Sequence, residues 1–264
     1  MKRILLLITL TALFAACGQK ANRTAEDVAG TSLQVERYDR VEIRYLKTGD
    51  FTALQQMNTG YPVQTRLLIE DILKLGYVND PMINVKFVGY YRDSTLQVIL
   101  DEVERQYADM NDIDRELSSA FAALRRFLPE VDPPLVYAQV SALDESIVIS
   151  EGMVGISLDK YLGSSFPIYT AYYPAAQRAT MDRTMIVPDC LMFYLLSMYP
   201  GDYRDEDDPD RSKRDIHAAK IQWVVNQSVG RRAFVSSAVT EVDNYMRNHP
   251  KTAVRKLLSA ETII

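Results

Sequence analysis

The chain has 264 residues, and its 35 Asp and Glu outnumber its 30 Lys and Arg, which gives a formal net charge of −5. No basic stripe is present to follow a phosphate backbone, so nucleic acid is excluded as an expected partner. Hydrophobic residues make up 47% of the chain and charged residues 25%, which excludes an intrinsically disordered protein and is typical of a globular one.

Residues 1–16 have the pattern of a bacterial lipoprotein signal peptide. Lys2 and Arg3 precede an apolar and small-residue run over residues 4–16, which is too short to cross a membrane as a helix. The run ends at Cys17, with small residues just before it, and resembles a lipobox. The sequence therefore predicts cleavage before Cys17 and acylation of that residue by fatty acids such as palmitate, which would anchor the protein stably. An ordinary cleaved signal with an incidental cysteine is the alternative.

Residues 17–32 are polar and small, and they predict a flexible tether between the lipid and a folded body at residues 33–264. Glu26 and Asp27 lie too far from the cysteine to match an acidic surface-export signal. We therefore expect an anchor in the inner or outer membrane and a body that faces the periplasm. After lipidation Cys190 is the one remaining thiol, so no internal disulfide is expected.

The first half of the folded body has mixed patterns. Alternating apolar residues over 41–45 predict a half-buried strand. A short helix is predicted over residues 51–57, and a second over 65–75 with Gly76 just past its end. Apolar residues over 85–88 predict a strand or a buried turn.

Apolar residues at helical spacing predict two longer helices, over residues 96–107 and 113–128. Pro129 closes the second of them. Each helix is preceded by side chains that are typical of an N-cap. The candidate caps are Asp93 or Ser94 for the first helix, and Asp112 or Asp114 for the second.

The middle of the chain is rich in β-forming residues. The runs 135–140 and 147–149 flank a polar turn and predict a hairpin, which residues 152–158 extend. Helical patterns then return, with a charged loop over residues 200–213. The predicted late helices cover residues 174–183, 188–199, 216–229, 233–248 and 250–258. The sequence therefore predicts one α+β domain, predominantly helical with a small antiparallel sheet.

Catalytic and metal-binding motifs do not stand out. His217 and His249 lie outside any H-E-x-x-H pattern, so solvated histidines are expected rather than a zinc site. The acids within residues 202–210 lack the glycine and the terminal Glu of a calcium loop, and they predict a solvated loop. No nucleophile elbow, Walker loop or Rossmann fingerprint occurs, and Cys190 follows the pattern of a buried structural thiol. No cofactor is predicted.

One segment has a distinctive composition. An apolar strand runs into Leu-Asp-x-Tyr-Leu-Gly, and an aromatic- and proline-rich passage follows. The candidate residues are Leu158, Asp159, Tyr161, Leu162, Gly163, Tyr169, Tyr172 and Tyr173. Such residues suit a core-packing corner, which is the favoured interpretation, or a tyrosine-rich recognition surface.

Taken together, these features resemble the gliding-motility lipoprotein GldB family of the Bacteroidetes, and the resemblance covers most of the chain. The Leu-Asp-x-Tyr-Leu-Gly stretch is its most specific part. The matching features are the signal ending at Cys17, Val41-Glu42-Ile43-Arg44-Tyr45, Leu117 to Leu128 with Pro129, Gly155 to Gly163 with Tyr169 and Pro174, and Tyr245-Met246-Arg247-Asn248 with Pro250 and Leu257-Leu258.

The resemblance implies an envelope lipoprotein connected with gliding or with the machinery near type IX secretion. The family's order of helix, hairpin and helix is also similar to zinc-peptidase folds. Residues 188–193, where such a fold would carry its metal motif, contain no ligand pair, so a degenerate scaffold without catalysis is implied.

Three functional hypotheses follow. The first is a non-enzymatic lipoprotein that is held on the membrane by its lipid and docks other envelope proteins. The second is a hydrolase of peptides or cell-wall fragments on a peptidase-like scaffold. The third is a small-ligand-binding lipoprotein with a pocket behind the segment from Tyr161 to Tyr173.

Overall fold

The computed structural model describes residues 32–150, 152–201 and 211–259 of the chain. These residues form a mainly helical α+β fold with a small four-stranded sheet, which confirms the predicted fold class. They belong to a compact unit that begins at Ser32. The predicted signal peptide, the lipidation site at Cys17 and the acid-rich loop over residues 202–210 lie outside the described residues.

The first half of this unit is helical. Its bounds are β1 at Val35–Glu36, α1 at Tyr38–Thr48, α2 at Phe51–Gly60, α3 at Pro62–Arg66 continuing into a π-helical turn at Leu67–Ile72, α4 at Ile83–Tyr90, α5 at Ser94–Gln106 and α6 at Asn111–Phe127. The predicted helices over residues 51–57, 96–107 and 113–128 are confirmed. The helix predicted over 65–75 begins earlier, at Pro62.

The strand predicted over residues 41–45 is wrong, because this segment lies inside α1. The alternating pattern treats Glu42 as an outward-facing residue, but its side chain is fully buried beside buried Ile43. The helix ends at Gly49, which has a φ of +68° and donates its N–H to the Tyr45 carbonyl over 2.8 Å. Because Glu42 is polar but buried, the sequence of this helix alternates between apolar and polar residues in the way that a half-buried strand does.

The predicted strand or turn over residues 85–88 is also wrong, because these residues belong to α4. Only Ile83 and Phe87 are fully buried on this short helix, whereas Val85 is 62% exposed. Eight residues with one buried pair at i and i+4 give too little helical periodicity to be recognised.

Capping explains how the next two helices begin. Asp93 caps α5 as predicted, and its carboxylate accepts the Thr95 N–H over 2.8 Å. The predicted caps of α6 are wrong, since this helix starts at Asn111 without a side-chain cap. Asp114 instead accepts the backbone N–H of Val35 over 2.9 Å, so its carboxylate ties β1 to α6.

The sheet is mixed rather than purely antiparallel. The remaining strands are β2 at Leu135–Gln139, β3 at Ile147–Ser150 and β4 at Met153–Ser157. The spatial order is β1-β2-β4-β3, with β1, β2 and β4 parallel and β3 antiparallel to β4. The hairpin predicted between residues 135–140 and 147–149 is wrong, because β4 lies between these two strands. The hairpin of this sheet joins β3 and β4 through Gly152, which has a φ of +80°.

Helices cover the second half of the unit. Their bounds are α7 at Pro167–Tyr172, α8 at Ala175–Arg178, α9 at Ile186–Met198, α10 at Arg211–Val229, α11 at Ser237–Asn248 and α12 at Val254–Ser259, with 3₁₀ turns at Leu158–Lys160 and Arg183–Met185. Helix α9 packs against β3 and β4, while α1 packs against β2. Because β2 and β4 are parallel and paired, their carboxyl ends lie side by side, and helices pack against both strands.

Candidate functional site at the carboxyl edge of the sheet

The segments that follow β2 and β4 lie next to each other, because these strands are parallel and paired from Leu135 with Met153 to Gln139 with Ser157. Residues 140–144, called the clamped loop below, leave β2, and the 3₁₀ turn leaves β4. The carboxyl edge of parallel strands is where binding sites commonly form in open sheets. The Leu-Asp-x-Tyr-Leu-Gly motif therefore lies at this edge.

Asp159 holds the clamped loop by its backbone. Its side chain is fully buried, and it accepts the N–H of Ser141 over 3.0 Å and the N–H of Leu143. Ala142, which lies between these donors, and Leu143, which is the second donor, have φ angles of +54° and +67°. Left-handed backbone is unfavourable for residues other than glycine and persists only where surrounding contacts enforce it. The Asp159 carboxylate supplies two of those contacts.

Lys160 and Tyr173 hold the carbonyl side of the same loop. The Lys160 ammonium donates to the carbonyls of Leu143 and Asp144, over 3.1 Å in both cases, and to the Tyr173 hydroxyl over 3.0 Å. The Tyr173 hydroxyl donates in turn to the Leu143 carbonyl over 2.8 Å. The ammonium also lies 4.6 Å from the centre of the Tyr173 ring, a cation–π contact. Both the donors and the acceptors of the loop are thus bound by buried or half-buried side chains.

Glu42 reaches the start of the clamped loop from α1. Its Oε2 accepts the Val140 N–H over 3.0 Å, and the Tyr91 hydroxyl donates to the Val140 carbonyl over 2.6 Å. The Glu42 Oε1 has no hydrogen-bond partner among the described residues. Two buried carboxylates from separate elements therefore fix one loop.

Burial raises the pKa of both buried carboxyls. For Glu42 the rise takes the pKa well above its usual range; the Val140 N–H opposes it, and the nearby Asp159 and Asp39 charges add to it. For Asp159 burial also raises the pKa, but the two N–H donors of the clamped loop and the Lys160 charge oppose the rise. Glu42 is therefore the carboxyl that more readily holds a proton in the folded protein.

We expect Glu42→Gln to change how stability depends on pH. A carboxyl whose pKa is raised in the folded state binds its proton more tightly there than in the unfolded chain. Stability from this group is therefore complete below the unfolded pKa of about 4.3 and is lost as the pH rises toward the folded pKa. Glutamine stays neutral, so the variant should gain stability relative to the wild type as pH rises, by up to about 1.4 kcal/mol per pH unit.

Urea unfolding of both proteins between acidic and mildly alkaline pH measures this difference. Glu145→Gln makes the same chemical change at an exposed position and is the matched control for the loss of one carboxyl group. A difference between Glu42→Gln and the wild type that stays constant with pH would contradict the assignment.

Most of the predicted tyrosines face inward. The Tyr169 hydroxyl donates to the Asp159 carbonyl and accepts the Leu162 N–H over 2.9 Å. The Tyr161 hydroxyl donates to Asp189 over 2.9 Å. Tyr161 and Tyr169 are buried, so neither has surface for a partner, whereas Tyr172 is 62% exposed.

The ends of the motif are also structural. Leu158 and Leu162 are buried in the core. Gly163 has a φ of +106°, which favours glycine, and its N–H is donated to the Met181 carbonyl over 3.0 Å. The motif as a whole turns the chain from β4 into α7.

Asp189 and Cys190 lie on α9, in the segment where a zinc-peptidase-like fold would carry its metal motif. Burial raises the pKa of the half-buried Asp189 to about 7, while the hydrogen bond from Tyr161 opposes that rise. Cys190 is a free, buried thiol, as predicted, and burial raises its pKa, which suppresses thiolate reactivity.

His217 lies within α10, and His249 directly follows the last residue of α11. The His217 Nε2 is 2.8 Å from the Tyr199 carbonyl oxygen, and the His249 Nδ1 is 2.9 Å from the Tyr245 carbonyl oxygen. His249 is exposed, but His217 is half-buried rather than solvated, and burial lowers its pKa. Among residues 32–150, 152–201 and 211–259, no three His, Cys, Asp or Glu side chains are grouped to hold a metal ion.

Sequence reasoning missed Glu42 and Lys160 as members of this site. Helical rather than alternating periodicity over residues 38–46 would have shown that Glu42 faces the core. No local pattern marks Lys160, because its acceptors lie in the clamped loop, and strands β3 and β4 separate that loop from Lys160 along the chain.

Comparison with known protein families identifies a match over most of the described chain. A family model described as gliding motility protein GldB matches residues 20–230, more than half of the chain, and this range contains the clamped loop and all the side chains that hold it. No curated protein and no solved structure matches. Within the part of the chain that the structure describes, no helix is both long enough and apolar enough to span a bilayer.

Proposed function

The chain belongs to the GldB family of gliding-motility proteins, and from that membership we propose that it is a non-enzymatic, lipid-anchored lipoprotein that works by contacting other envelope proteins. The family match carries this proposal. It extends from the predicted tether, at residue 20, across the sheet and its carboxyl edge. This family membership relates the protein to gliding motility, and we propose that it acts at the cell envelope.

The membrane attachment is proposed to be Cys17. Its position after a short apolar run and small residues supports acylation, and two or more acyl chains at about 0.8 kcal/mol per buried methylene hold a protein on a bilayer. The body is proposed to face the periplasm from the inner or the outer membrane.

We expect Cys17→Ser to move the protein from the membrane fraction to the soluble fraction, because the serine hydroxyl cannot take the thioether-linked lipid. Fractionation and intact mass spectrometry measure the location and the acyl mass. Cys190→Ala is the matched control, since it removes the other cysteine of the chain and should leave the protein in the membrane fraction. Wild-type protein without fatty acid at its amino terminus would overturn the anchor.

The non-enzymatic part of the proposal is supported by how the side chains at the carboxyl edge are used. Asp159, Lys160 and Tyr169 bind the backbone of this chain, so these groups serve its own architecture. Cross-linking of the acylated protein in intact cells, followed by purification, should recover a specific envelope protein. Recovery of none above background would overturn the docking role. Stoichiometric zinc in the pure protein, or turnover of peptides or cell-wall fragments, would favour the hydrolase instead.

A further inference from the structure

Strand β3 ends the sheet, and one of its edges carries backbone groups without strand partners. The Ser157 N–H bonds the Ser146 carbonyl over 3.0 Å, which identifies these two residues as a hydrogen-bonded pair. Pairs alternate along an antiparallel ladder, so Val148 also bonds β4, while Ile147 and Ile149 direct their N–H and C=O groups to the outer edge. No described residue makes a backbone hydrogen bond to that edge.

The outer edge of β3 lacks the features that usually prevent strand addition. Protected edges carry charges, prolines or bulges, but Ile147-Val148-Ile149-Ser150 has no charge and no proline, and its register with β4 is regular. The side chains from Val148 to Ser150 are half-buried rather than covered. An added strand would therefore meet both free backbone groups and partly exposed apolar side chains.

Acidic side chains surround the start of this strand. Asp144 and Glu145 are exposed just before it. The Tyr161 hydroxyl contacts the side chains of both Ser146 and Asp189, so a third carboxyl lies one tyrosine hydroxyl away from this end of the strand. An extended segment that pairs with β3 would place one of its ends beside the exposed carboxylates of Asp144 and Glu145, which favours Lys or Arg at that end.

We propose that β3 is a docking strand for an extended peptide of a partner protein, one with alternating apolar residues and a Lys or Arg beside Asp144 and Glu145. This site deepens the proposed function and rests on it, because it specifies the chemistry of the envelope partner. Backbone pairing supplies affinity, and alternate side chains supply selectivity. A second copy is disfavoured, because its own Ile147-Val148-Ile149-Ser150 strand would bring no Lys or Arg to Asp144 and Glu145.

A displayed library of random short linear peptides, selected on the full-length chain in detergent, tests the site. Selected peptides should share alternating apolar positions and a basic residue. For the best of them, Ile149→Pro should weaken binding by about tenfold or more, because it removes an outward N–H without breaking a bond to β4. Ile149→Ala is the matched control; it keeps the N–H and should change binding by less than about threefold.

Two further measurements keep the test informative if the proline variant folds poorly. Asp144→Asn together with Glu145→Gln should weaken binding and reduce its salt dependence. In wild-type protein, bound peptide should slow amide hydrogen exchange at Ile149 but leave Val148 unchanged, because Val148 already bonds β4. Protection at another surface, or selected peptides without a common pattern, would overturn the proposal.

The outcomes separate this site from the proposed function. Recovery of the same envelope partner by Ile149→Pro and by the wild type would leave docking intact and overturn the role of β3. A dimer of the wild-type chain that Ile149→Pro abolishes would assign the edge to a second copy and overturn the peptide. Loss of the partner in Ile149→Pro but not in Ile149→Ala would support both.

Discussion

Asp159→Ala is expected to lower the free energy of unfolding by about 3 to 5 kcal/mol. The change leaves the buried N–H of Ser141 and the partly buried N–H of Leu143 without an acceptor, and each unsatisfied donor costs about 1–3 kcal/mol. The left-handed backbone at Ala142 and Leu143 loses the contacts that enforce it as well. For a domain of this size the melting temperature should fall by roughly 10 °C.

Two variants separate this effect from a general loss of charge. Asp144→Ala removes an exposed acid from the same loop and should change stability by less than about 0.5 kcal/mol. Asp159→Asn keeps one oxygen acceptor but sets an amide NH₂ against a second N–H donor, so its loss should be intermediate. Calorimetry or urea unfolding measures all three, and an Asp159→Ala protein as stable as Asp144→Ala would refute the clamp.

The parts of this fold that follow from sequence are those with local causes. The long helices α5 and α6 present apolar residues at helical spacing, and Asp93 caps the first of them. The Leu-Asp-x-Tyr-Leu-Gly stretch was recognisable as a corner because Gly163 and Asp159 have turn chemistry. Local spacing and turn chemistry are readable from one segment at a time.

The candidate site has no such local cause. It exists because β4 inserts between β2 and β3, which brings the clamped loop against the 3₁₀ turn. Two apolar runs around a polar turn are equally consistent with a simple hairpin, so the sequence could not choose between the two pairings. Glu42 was missed for a related reason. A carboxylate in the core is uncommon, and Glu42 is buried because a backbone N–H of another element needs an acceptor there.

Some of the sixteen tyrosines of the chain also become understandable only in three dimensions. Several are fully buried and donate to carbonyls of irregular backbone that no strand or helix satisfies: Tyr91 to Val140, and Tyr107 to Tyr161, each over 2.6 Å. A tyrosine fills core volume and reaches a distant acceptor with one side chain. This use explains tyrosine rather than phenylalanine at these two positions, and it ties both residues to the carboxyl edge.

Gly155→Ala is expected to destabilise the protein by about 2 to 3 kcal/mol through overpacking. A Cβ on Gly155 would lie 2.6 Å from both the Cζ and the hydroxyl oxygen of Tyr137, on the neighbouring strand β2. The Tyr137 ring is 1% exposed and packs edge-on against Tyr38 of α1, with ring centroids 6.4 Å apart. The ring therefore cannot move aside without disturbing the contact between the sheet and α1.

Gly89→Ala is a matched control of opposite sign. Gly89 lies in α4, and a Cβ there would meet nothing within 4 Å, so alanine should stabilise the helix by about 1 kcal/mol. Tyr137→Leu shortens the obstructing side chain, and added to Gly155→Ala it should recover part of the loss, which a double-mutant cycle measures as a coupling of about 1 kcal/mol or more. Strict additivity of the two changes would show that the ring does not oppose the new methyl group, and that the close packing of β2 on β4 is not the reason for glycine at this position.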